Sequence, residues 1–368
     1  MNILILNWRD PKNPKSGGAE IVTLQHAKAW AKAGHNVTWF ASKFKGSRNS
    51  EKIENVKIIR GGNSLTVYLL APIFYFFSGN KFDLVIDEIH GIPFFTPLFV
   101  GKPKIAFIHE VAGEIWDYMY IFPLNKIGKL LERNYFKLYR NVKFWTDADS
   151  TIEDLEKMEI KRKNCIAINC PIERKPLDRI PEKEKHPTFI FVSRIVKMKG
   201  VEDVIRSFFY IARELKDSKL WIVGNGEQNY MDELKDMVDS FGLSPKVKFW
   251  GKVGEEKKFE LLNKAHILLH ASVKEGWGLV VIEAASQGTP AVVYNVSGLK
   301  DSVKNGKTGI VIDDNSSKEM AREAINLINN NQRYNVLQKG GLEWVKILTW
   351  KKATQKSLLL LKEVGSRT

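Results

Sequence analysis

Two carboxylates stand eight positions apart in Glu275-Gly276-Trp277-Gly278-Leu279-Val280-Val281-Ile282-Glu283, with two glycines after the first and an apolar run before the second. The run continues to Gly288 and Pro290, the residues that stop a helix. Gly276 and Gly278 let the backbone turn sharply and leave the first N–H groups of the helix exposed, an arrangement that favours phosphate. Carboxylates beside a phosphate site do not bond the phosphate, because like charges repel. They fit if each accepts hydrogen bonds from hydroxyls, a sugar at Glu275 and a ribose at Glu283. Such a ligand is a nucleotide sugar. On the pair alone a second reading stays open, in which Glu275 is a solvated loop residue and Glu283 a helix-surface charge.

The pattern resembles the E-x7-E motif of retaining glycosyltransferases with the GT-B fold, in the large family 4 group. Other stretches carry the same resemblance in the same order. Ser16-Gly17-Gly18-Ala19-Glu20 follows the first strand and matches the family's Gly-Gly-Ala-Glu loop, which implies that Gly18, with Gly17 beside it, approaches the donor diphosphate. His109-Glu110 ends the strand Ile105–Ile108 and resembles the family's histidine close to the donor sugar. Arg194 and Lys199 in Arg194-Ile195-Val196-Lys197-Met198-Lys199-Gly200 resemble its Arg-x4-Lys-Gly motif, in which the two cations hold the diphosphate. Gly224-Asn225-Gly226-Glu227 is a further glycine turn at a strand's carboxyl end, and Gly298–Gly309 matches a late glycine-rich loop. Two departures stand out: Trp277 replaces the usual phenylalanine, and Asn169-Cys170-Pro171-Ile172-Glu173 lacks the glycine that usually closes the first domain.

The resemblance implies an α/β protein of two Rossmann-like doubly wound domains facing a cleft. Residues 1–170 form the acceptor-side domain, 171–187 a proline-containing linker, 188–341 the nucleotide-sugar domain, and 342–368 a helix crossing back to the first domain. Donor-side residues are then Gly17, Gly18, Arg194, Lys199, Gly224, Gly226, Gly276, Trp277, Gly278, Leu279 and Glu283, with His109 and Glu275 catalytic. No D-x-D pair is placed to hold a metal at the diphosphate, so no metal or other cofactor is expected. The remaining histidines, His26, His35, His90, His186, His266 and His270, are read as structural.

Strands are expected at Asn36–Ala41, Val56–Arg60, Leu84–Asp87, Ile105–Ile108 and Phe144–Thr146, then at Thr188–Val192, Lys219–Val223, Lys246–Trp250, His266–His270 and Ala291–Tyr294. The apolar stretches Leu65–Phe77 and Ile92–Val100 are too short for the roughly 20 residues of a membrane span and read as buried helices. Ser150-Thr151-Ile152-Glu153 reads as a capping box that starts a helix, and Leu342–Val364 as one closing helix.

Between Leu124 and Tyr139 a helix is expected on which Lys126, Lys129, Arg133, Lys137 and Arg140 form a cationic stripe, with Ile127, Leu130, Leu131, Phe136 and Leu138 on its apolar side. Preceded by Trp116 and Tyr118, it reads as a membrane-surface element.

The 368 residues suit two domains, and 44% hydrophobic with 27% charged residues excludes disorder. The net charge of +15 is spread evenly, which favours phosphates and anionic lipids as partners over a dedicated nucleic-acid domain. Two cysteines, Cys165 and Cys170, and an N-terminus that runs straight into a strand predict a cytoplasmic protein, peripheral on the membrane at most. The expected partners are a nucleotide-sugar donor, a glycan or lipid-linked acceptor and an anionic membrane. A sugar-nucleotide epimerase and a non-catalytic membrane-binding protein are the alternative readings.

Overall fold

The structure is a computed structural model that describes residues 1–79 and 81–366. Two compact units divide the chain: Met1–Trp116, Tyr120–Cys170 and Trp350–Thr368 in the first, Asp117–Met119 and Pro171–Thr349 in the second.

In the first unit the strands are β1 (Asn2–Leu6), β2 (Asn36–Ala41), β3 (Ser50–Ile53), β4 (Val56–Arg60), β5 (Leu84–Ile89), β6 (Lys104–Ile108), β7 (Lys143–Thr146) and β8 (Cys165–Ala167). They lie in the order β3-β4-β2-β1-β5-β6-β7-β8, parallel except for the β3–β4 hairpin. The connecting helices are α1 (Gly18–Lys32), α2 (Val67–Phe77), α3 (Ile115–Met119), α4 (Leu124–Phe136) and α5 (Asp149–Lys157). The chain runs outward from β1 to β4, then begins again beside β1 with β5, which makes the gap between β1 and β5 a topological switch point.

The second unit repeats the plan with β9 (Thr188–Val192), β10 (Lys219–Val223), β11 (Val247–Gly251), β12 (Ile267–His270), β13 (Ala291–Val293) and β14 (Gly309–Val311), in the all-parallel order β11-β10-β9-β12-β13-β14. Its helices are α6 (Val201–Glu214), α7 (Gln228–Ser240), α8 (Glu255–Lys264), α9 (Leu279–Ser286), α10 (Leu299–Ser302), α11 (Ser317–Asn329) and α12 (Asn331–Ile347). Here the switch point lies between β9 and β12. Successive strand residues point to opposite faces, and both faces are covered. Phe189, Phe191, Leu220, Ile222, Ile267 and Leu269 enter one core, while Ile190, Val192, Trp221, Val223 and Leu268 enter the other. Burial on both faces explains why these strands read as unbroken apolar runs.

Several expectations need correction. Leu348 is extended, so the expected closing helix is two: α12 ends at Ile347 and α13 (Trp350–Gly365) begins a new direction in the first unit. α5 starts at Asp149 with Ala148 as its cap, ahead of Ser150, which is buried in the first turn of the helix. The stretch expected as a linker is packed onto the second unit. Lys183 Nζ donates to Asn263 O, Gln287 O and Thr289 Oγ1 at 2.8, 3.3 and 2.7 Å, and burial lowers its pKa to about 7. Short strands at Ser50–Ile53, Cys165–Ala167 and Gly309–Val311 carry too few residues to show a pattern in sequence.

The two apolar stretches read as buried helices are also different. Ile92–Val100 holds only a 3-10 turn, Thr96–Leu98, because Pro93 and Pro97 supply no N–H. The segment wraps instead around buried Asp87, which accepts from Phe94 N, Thr96 N, Thr96 Oγ1 and Tyr139 Oη at 3.0, 3.3, 2.8 and 2.5 Å. α2 buries Val67, Ala71 and Tyr75 but leaves Leu69, Ile73, Phe76 and Phe77 exposed.

α13 packs on α1 around one hydroxyl. Ser357 Oγ lies 2.9 Å from His26 Nδ1 and accepts from Trp30 Nε1 at 3.0 Å, all three side chains being fully buried. Burial lowers the pKa of His26 to about 3, with the His109 charge adding to the effect. Ser357→Ala strands two buried ring nitrogens and should lower stability by about 1–3 kcal/mol, measured by urea denaturation of the full chain.

Candidate functional site

The residues singled out in the second unit gather at its switch point. β9 ends at Val192 and leads through Arg194 to a 3-10 turn, Lys197–Lys199; β12 ends at His270 and leads to Glu275. Lys199 Nζ reaches Glu275 Oε1 at 2.6 Å, and His270 Nε2 lies 3.0 Å from the same oxygen. Three glycines make this approach possible. Gly200 has φ +70, and a Cβ there would stand 2.0 Å from Ala271 O. Gly298, at φ +82, presses equally on Glu275 O, while Glu275 N donates to Ser297 O. Gly278, at φ +77, is the cap of α9. Trp277 is buried.

Burial pushes the Glu275 carboxyl up, but the Lys199 ammonium and the His270 ring outweigh it and hold the group well below the carboxylate range. Glu283 lies inside α9 and pairs with Lys258 Nζ of α8 at 2.7 Å; there burial prevails over Lys258 and raises its pKa. Arg194 is exposed and in no ion pair among the described residues. Each carboxylate of the pair therefore meets a lysine, Glu275 just before α9 and Glu283 within it. Gly224 and Gly226 have a packing reason of their own: a Cβ at either would stand 1.8 Å from Ser193 O or 2.1 Å from Ile195 O.

In the first unit the cluster lies at the ends of β5, β6 and β7. His109 Nδ1 is 2.5 Å from Asp147 Oδ2, and its Nε2 is 3.3 Å from Glu88 Oε1. His90 Nε2 shares that Glu88 oxygen at 3.0 Å. Glu20, fully buried on α1, pairs with Arg9 at 2.8 Å and accepts from Gly17 N at 2.7 Å, so the Gly-Gly-Ala-Glu loop caps its own helix. Nothing stands within 4 Å of where a Gly17 side chain would be. Burial lowers the His109 pKa, but Asp147 and then Glu88 reverse this and raise it to about 10. Burial raises that of Glu88, and the two histidines bring it down to about 2. Glu88, His90 and His109 bring one ligand atom each to within 4.8 Å of one another, close enough, among the described residues, to hold a metal ion.

His90 and His270, expected as structural, stand beside the singled-out residues, His90 on the Glu88 oxygen that His109 also meets and His270 on Glu275. The rule that singled out His109, a titratable residue at a strand's carboxyl end, selects both. Glu88, Asp147 and Arg9 belong to no motif in the sequence: Glu88 and Asp147 meet His109 across 21 and 38 residues, and Arg9 meets Glu20 across the glycine loop.

The cationic stripe is partly rearranged. α4 faces the unit with Gly128, Glu132, Tyr135 and Phe136. Glu132 accepts from Ala112 N, Gly113 N and Trp116 Nε1 at 2.7, 2.8 and 3.0 Å, so Trp116 is half-buried and fixed over Gly128. Arg140 pairs with Glu159. Lys126, Arg133 and Lys137 are exposed, Lys129 half-buried and Tyr118 exposed.

Two outcomes follow. Gly200→Ala should lower stability by at least about 1–3 kcal/mol in thermal unfolding, through positive φ and overlap with Ala271. The raised pKa of His109 means that its pairing stabilises the fold fully below the ordinary imidazole value of 6.5 and is lost as pH rises through about 10. Ring NMR should find it still protonated at about pH 8, and Asp147→Asn should bring its titration back toward the ordinary value.

Residues 174–344 match the family model described as glycosyl transferases group 1. An uncharacterized glycosyltransferase of Methanocaldococcus jannaschii is 32% identical over 182 residues, 48% of this chain and 45% of that protein. An uncharacterized glycosyltransferase of Haemophilus influenzae is 26% identical over 332 residues, 87% of this chain and 89% of that protein. The chain thus spans less than half of the first relative and most of the second. In fold, the solved sucrose-phosphate synthase of Thermosynechococcus elongatus superposes over 100% of both chains with a TM-score of 0.81 at 16% identity. In sequence, residues 174–344 are thus similar to the glycosyl transferases group 1, and in fold the two Rossmann-like parallel sheets are of the GT-B kind.

Proposed function

We propose that this protein moves a sugar from a nucleotide-diphosphate sugar to a hydroxyl of a glycan or lipid-linked acceptor, with retention at the sugar carbon. The observation that carries the reading is the convergence of Lys199, Glu275 and His270 beside the glycine-led start of α9. The bond that breaks joins the sugar carbon to a phosphate oxygen, which leaves with the electron pair as a nucleoside diphosphate. The charge growing there is met by Arg194, Lys199 and the first N–H groups of α9. The acceptor oxygen forms the new bond, and its proton passes to the departing phosphate.

Glu275 accepts hydroxyls of the transferred sugar, and its pairing with Lys199 and His270 keeps it ionised for that task. Glu283 receives the ribose. Gly276, Trp277 and Leu279 shape the turn around the diphosphate, with Gly224 and Gly226 bordering the nucleotide. Gly17 and Gly18 of the first unit are assigned to the donor diphosphate and His109 to the sugar on the strength of the family resemblance. The exposed cations of α4, Lys126, Arg133 and Lys137, with Lys129, meet an anionic membrane. Arg194 and Lys199 neutralise the diphosphate, so transfer proceeds without a metal ion.

Thermal unfolding with UDP, GDP, ADP, dTDP and CMP, each with and without a chelator, tests this. One nucleotide at about 100 times its Kd should add about 2.7 kcal/mol, equally with chelator present. The gain should vanish in Lys199→Ala and fall in Arg194→Ala, a change at an exposed side chain that leaves the fold intact. Stabilisation by none of the nucleotides, or equal stabilisation of all three proteins, would sink the donor site.

A further inference from the structure

The outer surface of the first unit carries two apolar stripes that no described residue covers. On α2 and the residue pair before it, Leu65, Leu69, Ile73, Phe76 and Phe77 recur at helical spacing, with Leu69 72% and Phe77 89% exposed. On α4, Leu124, Ile127 and Leu131 recur likewise, next to a cationic flank formed by exposed Lys126, Arg133 and Lys137 with half-buried Lys129. Ile121, 84% exposed, and Phe122 extend this stripe before the helix starts.

The stripes lie on one side of the sheet. Right-handed crossovers put the connections β4 to β5, β5 to β6 and β6 to β7 in a single layer. Ring contacts show them to be neighbours. Tyr68 of α2 lies 4.7 Å from Phe94, and Phe76 lies 6.4 Å from Phe99. Phe95 of the same segment lies 6.3 Å from Tyr135 of α4, whose hydroxyl also bonds Gly91 O. Leu98, 67% exposed, stands between the two helices.

We propose that α2 and the start of α4 form a two-element docking surface sunk into the boundary between headgroups and acyl chains of an anionic bilayer. This deepens the membrane contact proposed above by adding α2, an uncharged helix, as the inserting element, while the α4 cations meet lipid phosphates. Charge decides the occupant. Apolar residues beside a row of lysine and arginine complement a surface that is apolar inside and anionic outside. A second copy fits poorly: an isologous contact would set the α4 cations against themselves in a chain of net charge +15. No described helix is long and apolar enough to cross the membrane, which agrees with an element lying in its surface.

The test is cosedimentation of the full chain with phosphatidylcholine vesicles, with and without phosphatidylglycerol, at low and high salt. The wild type should bind the anionic vesicles and keep part of that binding at high salt. Leu69→Glu/Phe77→Glu should lose about tenfold or more, chiefly the salt-resistant part. Lys126→Gln/Lys137→Gln should lose the salt-sensitive part alone. Both variants touch exposed side chains, and retention of the nucleotide-induced thermal shift would show that fold and donor site persist. Absence of wild-type binding, or wild-type binding by Leu69→Glu/Phe77→Glu, overturns the proposal. So does a lipid-free wild-type dimer that this double variant turns into a monomer, because a second copy would then cover the face. None of these results bears on nucleotide binding, so the docking surface and the transferase reading fail separately.

Discussion

A carboxylate and an ammonium 2.6 Å apart, both largely withdrawn from water, set the terms for the second unit. Removing either charge alone would leave the other buried and uncompensated, so the loops after β9 and β12 have to meet with little tolerance. Their glycines follow from that demand. Gly200 and Gly298 bring one backbone onto another where no side chain would fit, and Gly278, at positive φ, turns the chain into α9. The outcome is a carboxylate that stays ionised although burial opposes it, held so by the Lys199 ammonium and the His270 ring.

The first unit uses buried carboxylates for a different purpose. Asp87 gathers the 92–100 segment and Tyr139; Glu132 ties the loop after His109 to α4; Glu20 caps α1 and holds Arg9. Each replaces lost hydration with several donors, as a charge in an apolar interior must. For Asp87 four donors do not overcome burial, and its pKa stays raised. His109 sits between Glu88 and Asp147 and therefore carries a charge at neutral pH, unlike His26, which is buried among tryptophans and neutral. Two histidines of one unit are thus driven in opposite directions by their partners.

Glu132 also joins the site to the surface. It lies on the buried side of α4, whose outer side carries the exposed leucines and cations, and its three donors come from the chain that follows His109. Position along one helix therefore links the apolar surface of the unit to the loop leaving its histidine cluster.

Much was legible in the residues themselves. Strands buried on both faces read as apolar runs, and glycines, cations and histidines standing just after them marked Lys199, Glu275 and His109, because in parallel sheets ligands meet the carboxyl ends of strands. That information is local. Lys199 finds Glu275 across 76 residues, and His109 finds Asp147 across 38, only because strand order makes their loops neighbours. His90 and His270 looked structural until their shared carboxylates were in place. α2 is apolar on every side, so its composition could not say which residues face the sheet; tertiary packing chose Val67, Ala71 and Tyr75 and left the phenylalanines outside. The break at Leu348 has no Gly or Pro to announce it, and the separate packing of α12 and α13 decided it. Sequence determined the elements and the chemistry at their ends, while partners and exposure were settled by contacts that exist only once the sheets have formed.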